Sequence, residues 1–192
     1  KYNFLWYNQP NFINITLKSL FQDIFAIKII FFVNLTIKLI RVVEEKVILV
    51  DANDNPIGLM NKLEAHEKAV LHRAFSVFIL NDKNELMLQQ RAHHKYHSPL
   101  LWTNTCCSHQ RENETNIQAG TRRLREEMGF ETELKEMFHF IYKAPFDNGL
   151  TEHELDHVML GNYNDVPNIN KDEVESWKWM KIEDVKNDMI TN

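Results

Sequence analysis

Chemistry is concentrated where Trp102-Thr-Asn-Thr-Cys-Cys-Ser-His109 runs on to Thr121-Arg-Arg-Leu-Arg-Glu-Glu-Met-Gly-Phe130. Cys107 and His109 flank Ser108, so on an extended segment both side chains point the same way. A thiol there is either a small buried hydrophobe or, beside a metal or imidazolium, an ionisable base. Its neighbours Thr103, Asn104, Thr105, Ser108 and His109 are poor material for an apolar strand and favour the second reading. His66 and His72 upstream, with Glu152 and Glu154 downstream, could join His109 as a mixed nitrogen and oxygen set around a divalent cation. His93, His94 and His97 form a rival cluster on a loop that also carries Lys95. Lys62, Arg91, Lys95 and Arg123 are each an ordinary surface charge alone. As a group they suit a phosphate ester, arginine gripping oxygens bidentately and lysine acting as a point charge.

The elements that must position these groups follow from local pattern. Lys46 to Val50 reads as a strand, and the turn formers from Asp51 to Gly58 predict a hairpin. Arg73 to Leu80 is a second strand, and Asn81 to Asn84 turns the chain into a third from Glu85 to Arg91. His66 and His72 fall in a polar connection. Thr115 with Gln118 predicts a capping box, Gly129 a helix stop, and Ile117, Thr121, Leu124 and Met128 a core-facing stripe. Arg122 and Arg123 stand four residues before Glu126 and Glu127, so each can brace one carboxylate. Strands from Met137 to Lys143 and Thr151 to Gly161 flank the turn Asp147-Asn-Gly149, the second placing Glu152, Glu154 and Asp156 on one face. A strand from Trp177 to Met180 and a helix from Ile182 to Met189 complete an α/β (α+β) pattern, a mixed sheet sandwiched between helices.

The chain has 192 residues, enough for one domain and an appendage. Its net charge of -5 argues against nucleic acid as a partner without excluding a local basic pocket. Two adjacent cysteines, Cys106 and Cys107, cannot staple a fold and match a reduced, cytoplasmic chain. Residues 1–43 are an atypical apolar extension, rich in Ile, Phe and Asn, expected to lie outside the folded domain at 44–192. Asp23, Lys28 and Asn34 interrupt its apolar run, which disfavours a membrane anchor.

Leu71-His-Arg-Ala-Phe-Ser-Val-Phe78, Trp102-Thr-Asn-Thr-Cys-Cys-Ser-His109 and Glu152-His-Glu-Leu-Asp156 resemble the motifs of type I isopentenyl diphosphate isomerase, a Nudix-fold family, over about Glu45 to Asp184. The general Nudix box is matched by Glu114, Arg122, Leu124, Glu126, Glu127, Gly129 and Phe130. It is broken where Ser108 replaces its first glycine and Arg123 its first helical glutamate. The resemblance implies interconversion of isopentenyl and dimethylallyl diphosphate, with a Nudix pyrophosphohydrolase or a non-catalytic diphosphate-binding fragment as alternatives. By it, His66, His72, His109, Glu152 and Glu154 would hold a divalent metal (magnesium, manganese or zinc), and Glu127 a magnesium that accompanies the substrate diphosphate. Lys62, Arg91, Lys95, Arg123 and Ser108 would bind substrate. Cys107 would be the catalytic thiol, Glu154 its catalytic partner, and Tyr142 a hydrogen-bonding group beside Glu154. Members of the family continue into a tail with an aromatic residue near the substrate. This chain ends at Asn192 without one, so impaired turnover is expected.

Overall fold

The structure, a computed structural model, describes residues 45–95 and 98–191. The extension expected over 1–43 and the rival ligand His97 lie outside the described residues. The hairpin expected first is present as β1 (Lys46–Val50) and β2 (Pro56–Asn61). Its turn is held by Asp51, whose Oδ1 accepts the backbone N–H groups of Asn53 and Asn55 at 2.8 and 2.9 Å. The polar connection that follows is not irregular: it contains α1 (Lys62–Glu67), capped by the Asn61 side chain. Six residues are too few for a helical period to declare itself in the sequence.

β3 (His72–Leu80) is the central strand. Along one edge it pairs in parallel with β8 (Thr151–Asn162), in register from His72↔Glu154 to Leu80↔Asn162. Along the other it meets β1, then β6 (Cys106–Ser108), then β4 (Glu85–Arg91) at the single pair Leu80↔Leu86. The sheet curls there, and β4 pairs chiefly with β9 (Val174–Lys181) and more briefly with β5 (Trp102–Thr103). β7 (Leu134–Pro145) joins β8 as an antiparallel hairpin whose turn places Gly149 at φ 84. Both β7 and β9 run past their expected ends. The charged residues Lys135 and Glu136 that open β7 sit opposite Leu160 and Met159, pairing through backbone that side-chain type does not report.

α2 (Asn116–Met128) has both bonds of its capping box and ends on Gly129 in the left-handed region at φ 75. Its buried stripe packs Ala119, Leu124 and Met128 on Phe75, Val77 and Ile79 of β3 and Met159 of β8. Gly120 suits that packing, since a Cβ there would stand 2.6 Å from Met159 Cε and 3.0 Å from Leu134 Cδ1, flexible side-chain ends that would have to shift. α3 (Ile182–Thr191) closes the described chain. With α2 over the core face and α1 beside the opposite one, the mixed sheet lies between helices, as expected. Among the described residues, no helix is long and apolar enough to cross a membrane.

Candidate active site and metal centre

Strand register sorts the chemistry onto the two faces of the sheet. Cys106 is opposite Val77, so it points into the core with α2, whereas Cys107 is opposite Ser76 and points to the other face. That second face carries His72 on β3, Glu152, Glu154 and Asp156 on β8, and Tyr142 on β7, paired with Glu154. Ser108 is opposite Phe75 and so faces the core side. The structure does not bring its side chain onto the Cys107 face, because successive strand residues alternate.

Four of the five expected ligands converge. One ligand atom from each of His66, His72, His109 and Glu154 lies within 4.8 Å of all the others, and all four residues are buried. The Nε2 atoms of His109, His72 and His66 stand 3.1, 3.5 and 3.9 Å from Glu154 Oε1. His66 Nδ1 is 2.6 Å from the Lys62 carbonyl and His72 Nδ1 2.8 Å from the Val70 carbonyl. A carbonyl only accepts, so both Nδ1 atoms carry the hydrogen and both Nε2 lone pairs are aimed at a carboxylate oxygen. His72 Nε2 is buried with no hydrogen-bond partner. Lone pairs gathered around an anion repel unless a cation lies among them, so the donor set fits a divalent metal. Burial lowers the pKa of His66 and brings that of His109 down to about 4, keeping these rings in the neutral form that ligates. Lys62, at the start of α1, pushes both in the same direction.

Glu152, the fifth expected ligand, is adjacent to this cluster. The Tyr142 hydroxyl bridges the two acids, 2.7 Å from Glu154 Oε2 and 2.9 Å from Glu152 Oε2. Burial and the two acids raise the Tyr142 pKa, so the phenol keeps its proton for them. Burial pushes Glu154 upward, but the hydrogen bonds from His109 and from the Tyr142 hydroxyl prevail and hold it well below the usual carboxylate range. Glu152 moves the other way, raised by burial and by Glu154. The Cys107 thiol is pushed up to about 12, first by burial and then by Glu127, with Arg91 opposing. Beyond Glu154 the same face opens into a cavity of about 380 Å³ lined by Ser76, Phe78, Phe138, Phe140, Asp156 and Val158.

Of the remaining expected residues, Lys62 lies on α1 beside the histidines and Arg91 beside Cys107 and Glu152, while Arg123, Glu127 and Lys95 form a second group around α2. Arg123 Nη2 donates to Glu127 Oε1 at 2.6 Å and Nη1 to Glu126 Oε2 at 2.8 Å. Glu127 is buried and also accepts from Gln89 Nε2 at 2.8 Å and from the Cys106 thiol at 3.4 Å. Lys95 and Arg123 share Glu173, which pairs with both. Arg122 binds Glu114 at 2.6 Å and braces Glu126 at 3.3 Å. His93 and His94 of the rival cluster are exposed and, among the described residues, belong to no such ligand group; His93 faces Glu175 and His94 the Asp172 carbonyl. Gln89 and Glu173 were not expected. A glutamine in a strand and an acid in an acidic chain carry no local signal, and only the register of β4 with β9 brings them to α2.

A NUDIX domain model matches residues 70–192. Isopentenyl-diphosphate Delta-isomerase 2 of Aromatoleum aromaticum is 50% identical over 146 residues, 76% of this chain and 77% of that protein. The isopentenyl-diphosphate Delta-isomerase of Pectobacterium atrosepticum is 52% identical over 145 residues, 76% of this chain and 81% of that protein. The crystal structure of DR0079 from Deinococcus radiodurans shares the fold at a TM-score of 0.64 and 19% identity, covering 77% of this chain and 90% of that one. On the domain match and these identities, the chain belongs to the NUDIX family and, within it, to the isopentenyl-diphosphate Delta-isomerases.

Proposed function

We propose that this chain interconverts isopentenyl and dimethylallyl diphosphate, with Cys107 and Glu154 as the two proton-handling groups. The observation that carries the reading is the double engagement of Glu154. One oxygen faces three imidazoles and the other takes the Tyr142 hydroxyl, on the sheet face that Cys107 shares.

His66, His72, His109 and Glu154 would hold the metal, with Glu152 beside them. A divalent ion bound there would polarise the Glu154 carboxyl and sharpen its acidity. In the direction that starts from the isopentenyl ester, Glu154, assisted by Tyr142, gives a proton to the terminal alkene carbon. The Cys107 sulfur removes one from the carbon nearer the ester, so the double bond moves and no atom is gained or lost. The reverse direction exchanges the roles. The largely apolar cavity past Glu154 suits the hydrocarbon. Lys95, Arg91 and Arg123 would take the diphosphate oxygens, and Glu127 its magnesium.

Hydrolysis is disfavoured by Arg123, which stands where a hydrolase box has a metal-binding glutamate and which braces Glu126 and Glu127. The test incubates the chain with isopentenyl diphosphate and magnesium and measures both the allylic isomer and released phosphate. Isomer lost in Cys107→Ala but kept in Cys106→Ala supports the assignment. Phosphate release, or full isomer formation by Cys107→Ala, overturns it.

A further inference from the structure

We infer that Glu173 is a built-in substitute for a phosphate oxygen, occupying the anion-binding cations of the pocket and exchanging places with an incoming diphosphate. The inference rests on the reading that Lys95 and Arg123 bind diphosphate, and it assigns to that same site a residue that tunes its affinity.

A single carboxylate oxygen of Glu173, Oε2, receives both Lys95 Nζ and Arg123 Nη2, the latter at 3.1 Å. This is the geometry a non-bridging phosphate oxygen would adopt between an ammonium and a guanidinium. The position of Glu173 does not depend on those ion pairs. Its backbone N–H donates to the Asn170 carbonyl at 2.9 Å, and its carbonyl accepts from Ala92 N–H at 3.1 Å, where β9 begins opposite Arg91. The backbone therefore stays in place while the side chain, 26% exposed, can swing into solvent when another anion arrives. Although burial opposes it, Lys95 and Arg123 hold its carboxyl below the usual range, so it is an anion at any working pH.

Local charge sharpens the point. Lys95 serves Glu173 and Arg123 serves Glu126, Glu127 and Glu173, while Arg111 and Arg122 also face Glu126. A diphosphate that takes the place between Lys95 and Arg123 would be repelled by the Glu173 carboxylate there unless Glu173 withdraws. Substrate and product carry the same diphosphate, so an internal competitor weakens both alike. That favours release of product over tight retention. In the absence of ligand, Glu173 also keeps the two cations apart from solvent and aimed at one point.

The experiment measures binding of inorganic pyrophosphate by calorimetry, without added divalent metal, to the parent chain, Glu173→Gln, Glu173→Ala and Lys95→Ala. Zinc binding at the histidine cluster, which needs β3 and β8 paired, reports that each variant is folded. Removing the competing carboxylate is expected to tighten pyrophosphate about tenfold in both Glu173 variants, with a matching fall in KM for the isoprenyl diphosphate. Affinity that is unchanged or weaker in either folded Glu173 variant overturns the inference. Lys95→Ala binding as tightly as the parent would instead overturn the diphosphate reading on which it rests.

Discussion

Acidifying the metal-stripped protein sets two buried groups on the same sheet region against each other. His109 has its pKa lowered from 6.5 to about 4, so below pH 6.5 the unfolded chain binds a proton that the folded chain refuses. Its contribution to stability is complete above 6.5, falls as pH drops toward 4 and then levels off, a loss of about 3 kcal/mol. Asp156 is raised from 3.8 to about 6 by burial, with the Ser76 hydroxyl opposing. Between those values the folded chain holds the extra proton, so stability grows by about 3 kcal/mol as pH falls from 6 to 3.8. The two nearly cancel in the parent. Asp156→Asn removes the gain and leaves the loss, so its Tm should drop by about 6–12 °C more than that of the parent between pH 6.5 and 4. His109→Gln should do the opposite, its Tm rising relative to the parent over the same interval. The assay is thermal unfolding across that range in the presence of a chelator, read as differences from the parent so that shared carboxylates drop out. Parallel pH profiles for the parent and Asp156→Asn would refute the reasoning, since they would mean that Asp156 titrates alike in both states.

Other expectations follow from single contacts. Tyr142→Phe removes the hydroxyl shared by Glu152 and Glu154, and a hydrogen bond to a charged group is worth about 1.5–3 kcal/mol; kcat should fall about 10–100-fold and the Tm by about 3–12 °C, checked by isomer formation and melting. Divalent metal at about a hundred times its Kd should stabilise the chain by about 2.7 kcal/mol, and His72→Ala should abolish the rise in Tm. Gly129→Ala should cost more than about 2 kcal/mol, because its φ of 75 disfavours a side chain and the added Cβ would press on the Asn168 carbonyl. Gly120→Ala, where the flexible Met159 can yield and helix propensity improves, should cost about 1 kcal/mol, both read from urea unfolding.

Much of this was legible because it is local. The Thr115–Gln118 box, the Gly129 stop, the 147–149 turn and the alternation of Glu152, Glu154 and Asp156 depend on residues within one turn or one strand of each other. The arginine braces Arg122–Glu126 and Arg123–Glu127 were legible for the same reason. What remained hidden needs partners from far along the chain. That Glu173 meets Lys95 depends on strand pairing, which sequence spacing does not encode, and the helix under His66 is too short to show a period. The convergence of His66, His72, His109 and Glu154 was suggested by residue type and implied by the resemblance, but no spacing in the sequence specifies it. Its physical basis is the parallel pairing of His72 with Glu154, two residues that no local pattern connects.

That pairing has a consequence for how the chain folds. The ligand atoms come from α1, β3, the segment after β6, and β8, so the set exists only once the parallel pairing of β3 with β8 has formed across most of the domain. Long-range parallel pairing is slow to nucleate, because a large loop must close before any contact rewards it. A metal captured after that step cannot speed the closure, but it must leave before β3 and β8 part. Metal should therefore act as a late latch, leaving the refolding rate nearly unchanged while slowing unfolding, so that resistance to unfolding and to proteolysis tracks metal supply.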